Sequence, residues 1–208
     1  MTEYYQTIIH MSHKAFSQAC ENNKEPILQI IRQVFAKTSH VLEIGSGTGQ
    51  HACYFSKHLT HLSWQPTDKP ENISDINLWQ ETSTQTNLKP AIALDITDEI
   101  WPFDHLDAVF TANTLHIMSE QEVQLGFSEL SKRLNPKALL CIYGPFNYNG
   151  SYTSDSNARF ELWLKSQNPL SGIKNIEDIL LLASKLGLSL LSDFDMPANN
   201  RLLVLQNN

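Results

Sequence analysis

The sequence lacks the features that mark a membrane, secreted or disulfide-stabilised protein. No segment approaches the roughly 20 apolar residues that a transmembrane helix requires, so we expect no membrane association. The first stretch, MTEYYQTIIHMSHK, contains no basic region followed by an apolar run, and we therefore expect no secretory signal. The three cysteines, Cys20, Cys53 and Cys141, are widely spaced and form no CxxC pair. Buried thiols in a reducing, cytoplasmic compartment are the simplest interpretation.

The sequence also has little that would bind a metal or a nucleic acid. Its 8 histidines are scattered, with no HExxH or HxH pattern, so no metal site is expected. The 22 acidic residues outnumber the 15 basic ones and give a net charge of −7, which opposes the phosphate backbone of nucleic acids. A small molecule or a protein is therefore favoured as the substrate over DNA or RNA.

Short apolar runs alternate with helical patterns, and a length of 208 residues fits one domain, residues 1–208. After an N-terminal helical segment, 1–38, this alternation predicts an α/β fold with a mostly parallel sheet and helices on both faces. We predict seven strands, at 40–44, 62–67, 90–94, 106–112, 138–143, 188–194 and 201–206. We predict helices at 24–36, 50–59, 73–79, 120–134, 155–166 and 174–186. Pro26 should lie in the first turn of the first helix, Asn135-Pro136 should close the fourth, and the last two strands should form an antiparallel edge hairpin.

One segment, 144–172, departs from this alternation. It begins GPFNYNGSYTSDSN, which is rich in glycine, asparagine and serine. A loop this long inside a compact domain is more often functional than idle, so we expect it to line a substrate pocket. The polar and aromatic side chains that border it are candidates for that lining, or for holding the loop together: Tyr143, Asn147, Tyr148, Tyr152 and Arg159.

A glycine-rich turn, EIGSGTGQH at 43–51, joins the first predicted strand to the next helix. Glycines in such a turn let a ligand touch the backbone, where side chains would block its approach. A phosphate-binding P-loop would need Gly-Lys-Ser/Thr, and a dinucleotide fingerprint would need a small residue in place of Gln50. The pattern acid-x-Gly-x-Gly-x-Gly instead resembles motif I of S-adenosylmethionine-dependent methyltransferases. That resemblance implies that the methionine portion of the ligand lies against Gly45, Ser46, Gly47 and Gly49.

Acidic or polar residues lie at the carboxyl end of each of the first four predicted strands. Glu43 could receive the ligand ammonium directly or through water, or it could be a structural acid of the turn. Asp68 could accept both ribose hydroxyls, or it could cap the next helix. Asp95 could accept the adenine amino group while Ile96 packs on the ring, or the pair could simply close a turn. Asn113 is expected beneath the sulfonium. Since open α/β sheets bind ligands at the carboxyl ends of their strands, we predict one shared cleft.

Seven segments extend the resemblance to a particular family. They are VLEIGSGTGQH at 41–51, WQPTD at 64–68, ALDIT at 93–97, NTLHI at 113–117, YGPFNYNG at 143–150, SNARFELWL at 156–164 and MPANN at 196–200. The chain resembles, from about Asn23 to Leu205, the family of the domain of unknown function 938, which includes methyltransferase-like protein 26. The resemblance implies a Rossmann-like class I methyltransferase fold and S-adenosylmethionine as cofactor, with S-adenosylhomocysteine as product. It implies no particular acceptor.

Methyl transfer from a sulfonium needs alignment and water exclusion more than acid–base chemistry, and a base only if the acceptor loses a proton. His116 is the best candidate base, although a structural histidine in the turn is an equal alternative. Tyr143 is a second catalytic candidate. Asn23 precedes the sheet and could close over the cofactor, whereas a solvated surface role is favoured for His10 and His13.

The sequence therefore favours an enzyme that methylates a small molecule or a protein. The segment NTLH at 113–116 does not match the Asn/Asp-Pro-Pro-aromatic tetrapeptide of many base-modifying methyltransferases, which counts against adenine or cytosine as acceptor. A binding protein that retains the cofactor as a sensor or assembly partner is the alternative. A nicotinamide-dependent oxidoreductase is a third hypothesis.

Overall fold

The computed structural model describes residues 14–208, so the predictions for His10, His13 and the absence of a secretory signal lie outside the described residues. Within that range the helices are α1 Gln18–Val34, α2 Gln50–His58, α3 Ile73–Gln80, α4 Glu120–Ser131, α5 Asp155–Gln167 and α6 Ile176–Lys185. The strands are β1 His40–Ile44, β2 Ser63–Asp68, β3 Ile92–Ala93, β4 Leu106–Ala112, β5 Leu134–Gly144, β6 Phe146–Asn147, β7 Lys174–Asn175, β8 Leu188–Met196 and β9 Asn200–Asn207. None of the described helices is long and apolar enough to cross a membrane.

Seven strands form the main sheet, in the order β3-β2-β1-β4-β5-β9-β8. The first five in this order are parallel to one another, while β9 is antiparallel to both β5 and β8. The predicted mostly parallel sheet with an antiparallel C-terminal hairpin is therefore confirmed. The order reverses between β1 and β4, and this is the place where open α/β sheets leave a crevice at the carboxyl ends of their strands.

Helices cover both faces of the sheet, as predicted. Successive residues of a strand point to opposite faces, so each strand contributes to two apolar cores. One core joins Leu42 of β1 and Val109 of β4 to helices α4 and α6. The other joins Val41 of β1 and Phe110 of β4 to helices α1 and α2. Strands apolar on both sides are typical of parallel sheets that are sandwiched between helices.

The prediction for Pro26 is wrong. Helix α1 begins at Gln18 rather than residue 24, because the Ser17 hydroxyl caps it by accepting a hydrogen bond from the Cys20 amide. Pro26 consequently lies inside the helix and not in its first turn. The apolar residues Ile27 and Ile31 are fully buried in the core beneath it, so tertiary packing outweighs the missing backbone hydrogen bond.

The prediction that Asn135-Pro136 closes the fourth helix is also wrong. Helix α4 ends at Ser131, and β5 begins at Leu134, so that Pro136 falls within a strand. The register between β4 and β5 shifts at this point, because Leu106 pairs with Leu134 but Ala108 pairs with Leu139. A bulge tolerates proline, since the extra residues make no ladder hydrogen bonds.

The bounds of one strand need correction. Strand β3 comprises only Ile92–Ala93 instead of residues 90–94, and residues 94–105 contain no helix. The helix predicted at 155–166, within the segment 144–172, is confirmed as α5. Strand β6 within this segment pairs with β7, and Ser154 caps α5 by accepting from the Asn157 amide.

Candidate active site

A cavity of about 610 Å³ opens at the carboxyl ends of β1, β2 and β4, beside the segment that follows β3. This volume is in the range of small-molecule sites. Eight predicted residues line it together: Gly45, Ser46, Gly47, Asp68, Asp95, Ile96, Asn113 and His116. Four others do not belong to the lining: Asn23, Glu43, Gly49 and Tyr143. The strand tips therefore converge on one cleft, but part of the predicted residue set lies behind its wall.

The glycines of the turn have different surroundings. A Cβ built on Gly47 would meet no atom within 4 Å, and its φ of +57° is left-handed. A Cβ on Gly49 would instead lie 3.0 Å from the backbone of Ile76, so this glycine permits the close approach of α3. Gly45 is crowded in the same way by the hydroxyl of Thr114, at 2.6 Å. Gly47 is thus the glycine at which the bare backbone faces open space, as contact with a ligand requires.

Asp68 ties the glycine turn to the end of β2. Its Oδ2 accepts a hydrogen bond from the Gly47 amide at 2.6 Å. Its Oδ1 accepts from the Lys69 amide and the Asn72 side chain, both at 2.8 Å. The alternative that Asp68 caps the next helix is not seen, because Lys69 and Asn72 occupy the cap positions there. Since each carboxylate oxygen has two lone-pair directions, Oδ2 retains one for a ligand in the cavity.

Asp95 serves a local turn and also lines the cavity. Its Oδ1 accepts from the Thr97 amide at 3.0 Å and the Thr97 hydroxyl at 2.8 Å, and its Oδ2 pairs with Lys69 at 3.1 Å. Burial opposes ionisation, but the Thr97 hydrogen bonds and the Lys69 charge lower the pKa of Asp95. Its neighbour Ile96 packs on α4 so closely that a Cβ on Gly126 would lie 2.7 Å from it. An anion beside a fixed apolar side chain suits an adenine ring and its amino group.

Glu43 lies behind the glycine turn, and the structure does not support direct contact of its carboxylate with a ligand in the cavity. The side chain is 1% exposed, and its Oε2 accepts from the Trp64 indole at 2.9 Å. Burial raises the pKa of Glu43 to about 7, while the hydrogen bond from the Trp64 indole opposes this rise. The Ser46 hydroxyl is buried and has no hydrogen-bond partner among the described residues. Any influence of Glu43 on a ligand is therefore exerted through this turn.

The buried Glu43 predicts a distinctive dependence of stability on pH. The carboxyl binds its proton more readily in the native than in the unfolded protein, so its contribution to the unfolding free energy falls as pH rises from about 4.5 to 7. A change in pKa of this size corresponds to about 3 kcal/mol. We expect Glu43→Gln to gain stability of that order, relative to the native chain, between pH 5 and pH 8. Urea unfolding at both pH values measures this difference, with the exposed Glu71→Gln as the control. An equal pH dependence in all three proteins would contradict it.

A polar layer on the α1 side lies behind the cavity. His51 Nε2 hydrogen-bonds to Asn23 Oδ1 at 2.7 Å, and its Nδ1 lies 4.0 Å from the Cys20 sulfur. Burial lowers the pKa of His51 to about 4, so this imidazole is neutral at pH 7. Tyr143 is 3% exposed and interacts with the side chains of Asn23 and Asn200. Asn23 and Tyr143 therefore support the wall and do not reach the cavity, whereas His51 and Cys20 do line it.

His116 faces the cavity from the loop between β4 and α4. It is 7% exposed, and no described side-chain or backbone group hydrogen-bonds to its ring. Burial, assisted by the charge of Lys174, lowers its pKa to about 4. Three successive carbonyls of this loop are held from behind: that of His116 by the Gly172 amide at 2.9 Å, that of Ile117 by the Ser171 hydroxyl and that of Met118 by the Lys174 ammonium. The backbone of this loop is thus anchored on its far side, while the ring nitrogens of His116 have no hydrogen-bond partner among the described residues.

The segment 144–172 reaches the cavity through residues that we did not predict. Phe160 and Trp163 of α5 belong to the lining, whereas none of the five candidates from Tyr143 to Arg159 does. Tyr148, for example, bonds instead to Asp193 of β8 at 2.7 Å. The signal in the sequence is the spacing of Phe160 and Trp163, which places two aromatic rings on one helix face. Their direction toward the cavity depends on how α5 packs, which the spacing does not reveal.

A second cavity, of about 720 Å³, lies between α4, α5 and α6. Its lining contains none of the predicted site residues. It does not reach the strand tips of β1, β2 and β4, so size alone does not identify the site. The smaller cavity is the candidate because the polar groups at the strand ends converge there.

The chain is similar to one protein family over most of its length and to solved structures in its fold. A family model described as "Protein of unknown function (DUF938)" matches residues 14–207, which is almost the whole chain. Among solved structures, the fold is similar to that of an O-methyltransferase family protein from Burkholderia thailandensis, with a TM-score of 0.79 and 16% identity. That similarity covers 89% of this chain and 56% of the other.

Two further structures show the same relationship. An S-adenosylmethionine-dependent methyltransferase, SibL, matches with a TM-score of 0.76 and 16% identity over 91% of this chain and 55% of that one. An O-methyltransferase family 2 protein from Planctomyces limnophilus, in complex with apigenin, matches with a TM-score of 0.72 and 15% identity over 81% of this chain and 51% of that one. The present chain thus spans a little over half the length of these structures, and at such identity the similarity establishes the fold.

Proposed function

This chain belongs to the DUF938 family, and we propose that it is an S-adenosylmethionine-dependent methyltransferase. The observation that carries the proposal is the single cavity in which the open backbone of Gly47, the Asp68 carboxylate and the Asp95 carboxylate meet. The named structural neighbours, which are methyltransferases of the same fold, support it. The reaction would yield S-adenosylhomocysteine and a methylated acceptor.

The residues of the cavity fit the parts of this cofactor. The turn at Gly45, Ser46 and Gly47 would hold the methionine portion, with the buried Glu43 acting behind it. Asp68 would accept hydrogen bonds from the ribose hydroxyls through the free lone pair of Oδ2. Asp95 and Ile96 would bind the adenine amino group and ring. The cofactor, when bound, supplies a methyl group that is activated by its attachment to a positively charged sulfur.

The acceptor side of the cavity is proposed to lie beside Asn113 and His116. His116 would accept the proton of a hydroxyl acceptor as the new bond forms, since its depressed pKa keeps it neutral at pH 7. The aligned walls and the exclusion of water would supply the remaining rate enhancement. We propose a small molecule, or less favourably a protein, as the acceptor. The net charge of −7 disfavours a nucleic acid.

Two features of the whole chain complete the proposal. Residues 1–208 would act as one domain, with the segment 144–172 forming part of the acceptor wall through α5. The three cysteines are free, which fits a reducing cytoplasmic compartment. The alternative function is a cofactor-binding sensor without transfer activity, and the burial of His116, which disfavours the charged form that a general base takes up, is the observation that favours it.

Two measurements test the proposed function. Isothermal titration calorimetry should detect binding of S-adenosylmethionine and S-adenosylhomocysteine to the purified chain. Incubation with cell extract and methyl-labelled cofactor should then transfer label to a small-molecule fraction. Binding without transfer to any fraction would favour the sensor, and stronger thermal stabilisation by NAD than by S-adenosylmethionine would overturn the proposal.

Replacing Asp68 by alanine should weaken S-adenosylmethionine binding by about 1.5–3 kcal/mol, the free energy of hydrogen bonds to a charged group. The change also removes the acceptor for the Gly47 amide, so part of the loss would reflect a looser turn. Calorimetry measures the dissociation constant. Asp104→Ala, at an exposed aspartate outside the cavity, is the matched control. Equal affinity in both variants would remove Asp68 from the proposed binding set.

A further inference from the structure

We propose that the methyl acceptor is an uncharged, planar aromatic compound that carries a hydroxyl group and binds against a wall formed by His116, Phe160 and Trp163. The three side chains line the same cavity as the cofactor-binding groups. The proposal therefore rests on the proposed function and narrows its substrate class. We call these three side chains the aromatic wall.

The three rings of the aromatic wall already contact one another through Phe160, in geometries typical of aromatic stacking. The Phe160 and Trp163 rings are stacked, with centroids 5.7 Å apart and an angle of 13° between their planes. The His116 ring meets Phe160 edge to face, at 5.2 Å and 75°. Offset stacking and edge-to-face contacts are the two arrangements that aromatic rings favour. A flat aromatic molecule could extend this cluster by either contact, whereas a flexible aliphatic chain gains neither.

The Trp163 indole is unusually exposed for a large aromatic side chain at a cavity edge. Trp163 is 55% exposed, although its neighbour Leu164 on the same helix is buried. An exposed indole at the edge of a cavity leaves a large apolar surface in water, and such surfaces commonly mark binding sites. Tryptophan also supplies a large contact area at small cost in conformational entropy. The structure thus holds one ring of the aromatic wall in a position where a ligand would cover it.

The charged side chains of the cavity lining lie outside the aromatic wall. The charged groups of the cavity lining are Asp68, Lys69, Asp95 and Glu122. Lys69 pairs with Asp95 at 3.1 Å, and Asp68 and Asp95 belong to the end assigned to adenosine. The carboxylate of Glu122 accepts a hydrogen bond from the Ser119 amide. The aromatic wall contributes no formal charge, because the pKa of His116 is lowered to about 4. A charged acceptor would lose hydration against this wall, and no charged side chain of the cavity lining belongs to the wall, so an uncharged acceptor is favoured.

The hydroxyl follows from the free nitrogens of His116. A lone pair of the acceptor oxygen would form the bond to the methyl carbon, while the carbon–sulfur bond breaks and leaves its electron pair on sulfur. The hydroxyl proton would pass to the imidazole and then to water, which balances the loss of positive charge from sulfur. A weakly basic imidazole is sufficient, because a hydroxyl oxygen becomes strongly acidic as it gains the methyl group.

The test uses naphthol, naphthoate and decalol as probes, which share a two-ring frame but differ in charge and aromaticity. Ligand-observed NMR titrations are run with the cofactor portion of the cavity filled by S-adenosylhomocysteine, so that the adenine position is blocked. We expect naphthol to bind at least fivefold more tightly than either other probe. Trp163→Ala should weaken naphthol binding at least fivefold, because naphthol loses its stacking contact with the indole. Leu162→Ala, an exposed neighbour outside the lining, should leave it unchanged.

The outcomes separate this proposal from the proposed function. Binding of naphthoate or decalol as tight as that of naphthol or tighter would overturn the aromatic wall, and so would equal naphthol affinity in Trp163→Ala and the native chain. Either result could occur while calorimetry still showed binding of S-adenosylhomocysteine. If calorimetry detected no binding of S-adenosylhomocysteine to the native chain, the proposed function would be contradicted instead. The naphthol titration, repeated without S-adenosylhomocysteine, would then show whether naphthol affinity depends on Trp163. Trp163 is exposed, so its replacement should not prevent folding, and thermal unfolding of both variants checks this.

Discussion

Replacing Gly47 by valine should abolish binding of S-adenosylmethionine, with a loss of at least 100-fold in affinity. The Cβ would project into open space at the cavity, where nothing lies within 4 Å, and the two further methyl carbons would occupy the volume that the methionine portion requires. A 100-fold loss corresponds to about 3 kcal/mol. Calorimetry against the native chain measures the effect, and Gly47→Ala should give a smaller loss in the same direction.

The chain offers a close control for the backbone strain that this substitution introduces. Gly150 also has a left-handed φ, +69°, and a Cβ there would likewise meet no atom within 4 Å. It lies in the turn between Tyr148 and Ser151, outside the cavity lining. Gly150→Val should therefore lower stability by a similar amount, about 1–2 kcal/mol or more, and leave affinity unchanged. If both variants bound the cofactor as the native chain does, Gly47 would not contact it.

His116→Gln should lower kcat by about 100-fold or more, which is the lower end of the range for loss of a general base. Glutamine retains a polar side chain of similar length, and the backbone carbonyl of residue 116 would still accept from the Gly172 amide. The cofactor dissociation constant should change little. Because the pKa of His116 is lowered to about 4, kcat/KM of the native chain should not fall between pH 7 and pH 5 on account of this group.

The control for this prediction is His40→Gln, at an exposed histidine that begins β1, away from the strand tips. It should leave both kcat and affinity unchanged. Undiminished turnover in His116→Gln would assign His116 a structural role in the loop. A loss of cofactor affinity as large as the loss in kcat would show that the substitution had disturbed the cavity and would not support a catalytic role.

Much of the fold and part of the site were predictable because they depend on neighbouring residues. The apolar runs at 40–44 and 106–112 became β1 and β4 with the predicted bounds. The glycine turn follows β1, and Asp68 follows in β2, where a carboxylate at the strand end meets the cavity. Alternation of apolar residues and a strand-to-helix turn are local properties, and the parallel arrangement brings successive strand ends to one edge.

The errors arose where packing outweighed local preference. Pro26 and Pro136 were predicted to lie at helix ends. Helix α1 instead continues past Pro26 because its apolar face is buried, and Pro136 lies in β5 where the register shift leaves a bulge. For Glu43 the sequence left open a direct ligand contact, a contact through water and a structural role, and the Trp64 indole holds its carboxylate behind the turn. The sequence separation of Glu43 and Trp64 gives no indication of this contact.

By itself, the sequence determined the kind of fold, the turn that leaves backbone open to a ligand and the order of the acids at the strand tips. Each of these follows from short-range features of the sequence, such as the spacing of apolar residues and the glycines of a strand-to-helix turn, which favour the same local structure in any protein. Only the tertiary structure decided that Glu43, Asn23 and Tyr143 stand behind the cavity, and that Phe160 and Trp163 of α5 face it. These directions depend on how elements that are distant in the sequence pack against one another. The loop at His116 shows the same dependence, because Ser171 and Lys174, more than 50 positions away, anchor it.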